Sequence, residues 1–167
     1  MDLSPQYLHL LAGLQPFFAV AADAAPAQFN ARDNAAGAVA RIILKNTAAV
    51  PLDRVCFFCA APRLSSELTL IFALQVLPVL LSALPLRNDY LENRAVFNCI
   101  FHLFRSEPSS ITQHIDQLLP VFAHVLDPSA PDQLSDEGRV ELIALINALN
   151  VQVPDKVRAS GLQAFCS

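Results

Sequence analysis

The chain contains no tryptophan, one methionine and two tyrosines, and only four of its 167 residues are glycine. Alternating runs of Val, Ile, Thr and Tyr are missing as well, which removes the pattern expected of half-buried strands. Basic residues are outnumbered, 11 against 15 acidic ones, giving a net charge of −4 and a pI of about 5.4. With no basic stripe to offset that balance, direct nucleic-acid binding is excluded as the main task. No Lys or Arg precedes an apolar core at the N-terminus, and no small-residue cleavage pattern follows, so a secretory signal is not expected. No G-x-S-x-G, P-loop or H-E-x-x-H occurs, which leaves an enzyme without a nucleophile elbow, a phosphate cradle or a metal helix. Neither catalytic residues nor a cofactor are read from it.

What is present is apolar residues, 54% of the chain, recurring at helical spacing. That is enough for one domain with a real core, and the fold class is all-α. The periodicity predicts helices over 4–21, 30–46, 65–83, 89–105, 109–126 and 135–149, with a short one at 154–159. Pro51, Pro85, Pro108, Pro128, Pro131 and Pro154 fall at helix ends, where a missing N–H costs little. Pro78 and Pro120, and Pro16 in the same way, sit inside apolar helical patterns and are expected to kink them. The connections "PLRND" and "SEPSS" are short and polar and favour antiparallel neighbours. Asp89 is placed to cap the helix that follows it.

An internal echo defines the architecture. "QVLPVLLSALPL" at 75–86 and "QLLPVFAHVLDP" at 117–128 share Gln, an apolar residue, Leu, Pro, Val and then an apolar stripe, about 42 residues apart, within the range of HEAT and armadillo repeats. Each is followed by a polar turn and a second amphipathic helix. The expected fold is an α-solenoid of antiparallel helix pairs, over 1–167 as a single segment, whose core is buried only by stacking neighbours.

The segment 55–75 does not fit this plan. "NAAGAVARIILKNTAAVPLDRV" ought to run through a short turn straight into "LPVLLSALPL", and "VCFFCAAPRLSSELTLIFALQ" intervenes.

"NARDNAAGAVARIILKN" at 30–46, followed by "VPLDRV", "VLPVLLSALPLRNDYLEN" at 76–93 and "VFNCIFHLF" at 96–104, resembles the C-terminal HEAT repeats of importin-β family nuclear transport receptors, in the importin-4 subgroup. "PDKVRASGLQAF" is similar to the closing segment of those receptors. The resemblance implies a superhelical receptor that binds basic cargo such as ribosomal proteins and histones, contacts nuclear pore proteins, shuttles between cytoplasm and nucleus, and releases cargo when Ran-GTP engages its N-terminal repeats. Those repeats do not match anything here, so the principal Ran surface is expected to be absent, and Met1 is expected to mark the start of a fragment. A HEAT scaffold that joins partners without an import role is the alternative.

Removing 55–75 joins "PLDR" to "VLPVLLSALPLRND" and restores the family-like turn without a gap. Those 21 codons begin with Val, whose codon starts GT, and close on Gln, whose codon can end AG; "LTL" can encode a branch point. The segment is therefore expected to be an insertion or a translated, unspliced intron. On that reading Cys56 and Cys59 are incidental thiols: a zinc site needs four ligands, and Cys99, Cys166 and the scattered histidines supply no second knuckle. No βαβ pattern supports a redox pair, and four cysteines in such a chain read as reduced. The uncharged run 68–86 has the length of a membrane span, but Pro78, Pro85 and the internal echo assign its second half to a repeat core.

His102, His114 and His124 lack metal-binding spacing and are expected on a helix surface or partly buried. The acidic residues Asp116, Asp127, Asp132, Asp136, Glu137 and Glu141 have only Arg139 as a sequence-local counter-charge. They are the candidate surface for basic cargo, acting by long-range attraction, with an ordinary solvated face as the competing reading. Asp33 and Arg41 are candidates for a polar contact in a repeat turn.

Overall fold

A computed structural model describes residues 4–52 and 76–166; the segment 55–75, expected to be an insertion, with Cys56 and Cys59, lies outside the described residues. Among those described there are eight α-helices and no strand: α1 Ser4–Leu14, α2 Pro26–Lys45, α3 Val76–Ser82, α4 Asn93–Ser106, α5 Pro108–Thr112, α6 Ile115–Leu126, α7 Asp136–Gln152 and α8 Pro154–Ala159. The all-α class and the helix-pair solenoid are those the periodicity predicts.

Several boundaries differ from the sequence expectation, each for a local reason. The first helix stops at Leu14, and a 3-10 turn over Gln15–Phe18 takes over where Pro16 withdraws an N–H from the α-helical ladder. α2 begins four residues early because Pro26 suits the first helical turn, and Gln28 reaches back to accept the free N–H of Ala25 at 3.2 Å. The predicted helix 109–126 is two helices. The backbone turns at His114, whose carbonyl accepts the N–H groups of Gln117 and Leu118 and so begins α6 afresh. Pro120 lies inside α6, which runs through it to Leu126. α7 begins where Ser135 predicts, its hydroxyl accepting the Gly138 N–H at 3.3 Å.

The helix expected from Asp89 starts instead at Asn93, after a 3-10 turn over Tyr90–Glu92, and the Asp89 side chain makes no cap. Its carboxylate accepts from the Asn34 amide at 3.3 Å instead, and its backbone N–H donates to Asp33, so both of its contacts go to α2.

α2, α4 and α7 form one row, each packed on the next, with α3 against α2 and α6 against α8. Ala36 and Ala40 on α2 are fully buried, and their small side chains let α2 and α4 run close together. Val39 and Ile43 complete that face. From α4, Phe97 tilts against Phe122 of α6 with ring centroids 6.2 Å apart, in the edge-inclined geometry that aromatic pairs favour. Leu77, Leu80 and Leu81 of α3 are buried in the same core, so this half of the uncharged run 68–86 is repeat interior. Among the described residues no helix is long and apolar enough to cross a membrane.

Candidate protein-binding surface

The joint between α2 and the following repeat is organised by the segment "ARDNAAGAVAR". Asp33 is wholly buried, and its Oδ2 accepts three successive backbone N–H groups, those of Arg87, Asn88 and Asp89, at 3.0, 2.8 and 3.1 Å. A carboxylate is well matched to this work: three amide dipoles converge on one oxygen, while Arg32 Nη2 approaches the other at 3.4 Å. Around this centre, Asn88 Nδ2 donates to the Pro26 carbonyl at 2.9 Å, and the Arg32 and Arg87 guanidiniums lie over the Phe29 ring. Arg41, two turns further along α2, pairs with Glu92 at 2.7 Å rather than with Asp33. The polar contact expected between Asp33 and Arg41 is thus two separate contacts, both directed at the 87–92 turn. Glu92 passes directly over Gly37, where a Cβ would stand 1.5 Å from its Oε2, so this position is glycine for space rather than for backbone freedom.

The six acidic residues do not form one patch of unpaired charge. Asp116 pairs with Lys156 of α8 at 2.8 Å, and Glu141 pairs with Arg105 of α4. These partners are 40 and 36 residues away, beyond the reach of a local charge count. Arg139, the expected counter-charge, directs Nη2 to the Leu126 carbonyl at 3.4 Å. Asp127, Asp132, Asp136 and Glu137 are exposed and belong to the α6–α7 connection and the first turn of α7. The Ser129 hydroxyl and backbone N–H, both donating to Asp127 Oδ1, hold that carboxyl below its usual value, with His124 adding a smaller pull. The Glu137 carboxyl is lowered by its own backbone N–H first and by the Ser135 hydroxyl second, with Arg94 contributing across the α4–α7 groove. The connection is anchored from beneath by buried Gln133, whose Oε1 accepts the Asn93 amide at 3.2 Å.

The histidines are separate. His102 contacts Thr47 Oγ1 at 2.9 Å, His114 opens α6, and His124 is exposed in its last turn. Among the described residues no three His, Cys, Asp or Glu side chains are grouped to hold a metal ion. Cys99 is buried on α4, and desolvation pushes its thiol up to about 12; Cys166 is half-buried beside the Leu162 carbonyl. What sequence reasoning missed was Glu92 and the triple acceptance by Asp33. The available signal was an Arg-Asp-Asn triplet in an otherwise alanine-rich, buried helix.

No family model matches the chain, and no solved structure matches it. It is 38% identical over 151 residues to "Probable importin subunit beta-4" of Schizosaccharomyces pombe. The match takes in 90% of this chain and 12% of that protein's length, so the chain spans about an eighth of the relative. The identity runs through the helix-pair architecture described above, and the chain belongs to the importin-β family, in the importin-4 subgroup.

Proposed function

We propose that this chain is a HEAT-repeat segment from the C-terminal part of a nuclear transport receptor and that it binds basic protein cargo, such as ribosomal proteins or histones, for movement between cytoplasm and nucleus. The observation that carries the cargo class is the exposed acidic stretch of Asp127, Asp132, Asp136 and Glu137, which projects from a connection whose base is held rigid by Gln133 and Asn93. Hydrogen bonds lower two of these carboxyls, Asp127 through Ser129 and Glu137 through its own backbone N–H and then Ser135, which favours their charged forms. Asp116 and Glu141 belong to the same reading as a flank whose charge is shared with Lys156 and Arg105. Contacts with nuclear pore proteins and with Ran-GTP are part of the proposal for the whole receptor; the main Ran surface is assigned to repeats outside this chain. No chemical step is assigned to it.

The test is fluorescence anisotropy of a lysine- and arginine-rich histone-tail peptide titrated with the full chain at low and at physiological salt. Binding is expected to weaken steeply with salt. The combined Asp127→Asn, Asp132→Asn, Asp136→Asn and Glu137→Gln variant is expected to lose about tenfold in affinity, most of it in the association rate. Equal affinity in the variant, or no binding by either protein, removes the cargo reading and favours a HEAT scaffold without an import role.

A further inference from the structure

The two ends of the undescribed segment meet in helical register. The Val76 N–H donates to the Pro51 carbonyl at 3.3 Å and the Leu77 N–H to the Leu52 carbonyl at 3.1 Å. Each bond joins residues 25 apart. An α-helix bonds residues four apart, so both contacts have the geometry of a helix from which 21 residues have been left out of the count. Two consecutive bonds with the same offset are what a continuing ladder makes.

Burial gives the same number. With 21 residues discounted, Leu52, Val76, Leu77, Leu80 and Leu81, all buried, fall at i, i+3, i+4, i+7 and i+8. That is the apolar stripe of a single helix facing one core.

The second repeat supplies an internal standard. α6 reads "IDQLLPVFA" from Ile115, and the shortened chain reads "LDRVLPVLL" from Leu52, with apolar, Asp, polar, apolar, Leu, Pro and Val in the same places. Proline is the sixth residue of both. In α6 the Leu118 N–H donates to the His114 carbonyl at 3.1 Å, and the Val76 bond to Pro51 is its counterpart position for position.

We infer that 55–75 is a 21-residue insertion into the first turn of a helix equivalent to α6, and that the surrounding fold is the one specified by a chain in which Arg54 is followed directly by Val76. The inference is independent of the function proposed above. Hydrogen bonds, burial and the repeat each fix the length of the insertion without reference to the segment itself. Discounting one residue more or fewer rotates Val76 and everything after it by one helical step relative to Leu52, which carries part of the stripe out of the core.

Three deletions from the full chain test it: 55–75, 56–75 and 54–75, removing 21, 20 and 22 residues. Thermal melts and far-UV circular dichroism are read for each and for the full chain. The 21-residue deletion is expected to melt at or above the full chain, and several degrees above both of the other deletions, because it alone completes the ladder. A 21-residue deletion that fails to fold, melts below the full chain, or melts no higher than its two neighbours overturns the inference.

Discussion

Asp33 Oδ2 accepts the backbone N–H of Asn88 at 2.8 Å, inside a core where Asp33 has no solvent exposure. This places the acceptor for a repeat turn on the helix of the preceding repeat, so the two repeats share a hydrogen-bonded centre as well as an apolar one.

Replacing Asp33 by alanine strands three amide donors and is expected to cost about 3 kcal/mol, by the usual penalty for unpaired partly buried donors. Asp33→Asn keeps one acceptor oxygen and is expected to lose less than half as much. Urea denaturation of both variants measures the order; equal stabilities would show that the turn is held by packing alone.

Gly37→Ala is expected to destabilise, although alanine is the better helix former, because the new Cβ displaces Glu92 from Arg41. In a Glu92→Ala background the severe clash is gone, only the mobile end of Arg41 remains at 3.1 Å, and the same substitution should stabilise by up to about 1 kcal/mol through helix propensity. A double-mutant cycle reads this reversal of sign.

The lowered Asp127 value has a pH consequence. A carboxyl whose folded value lies below its unfolded one adds stability that is complete above the ordinary 3.8 and lost as pH falls through the folded value. Ser129→Ala is expected to raise the Asp127 midpoint toward 3.8, followed by carboxyl-carbon NMR, with no change in stability at neutral pH beyond the loss of that small contribution.

Cys99 is expected to resist thiol-directed labels until the chain unfolds, since it is both buried and a poor thiolate former at a value of about 12. Peptide mass spectrometry after brief alkylation should find Cys166 modified before Cys99. Rapid native labelling of Cys99 would mean that α4 opens locally.

If the 21-residue insertion is a translated intron, complementary DNA from the source cells should lack the 63 nucleotides that encode 55–75. A transcript population that retains them would make the insertion a genuine part of the protein while leaving its register in the fold unchanged.

The amino-acid sequence by itself determined the all-α class, the helix-pair repeat and the start of α7. These follow from 3.6-residue apolar spacing and from a local cap, Ser135 to Gly138, that one stretch of chain contains complete. The misfit of 55–75 was expected from the same pattern, as a break where "NAAGAVARIILKNTAAVPLDRV" ought to run through a short turn into "LPVLLSALPL". The break of 109–126 at His114 was not, because apolar periodicity continues across it. Tertiary structure alone decided the partners of charge. Asp116 meets Lys156, Glu141 meets Arg105, and Asp33 meets the 87–89 backbone, across 36 to 56 residues of chain. Coulomb and hydrogen-bond energies depend on distance in space, which stacking of the helix pairs sets and sequence separation does not encode.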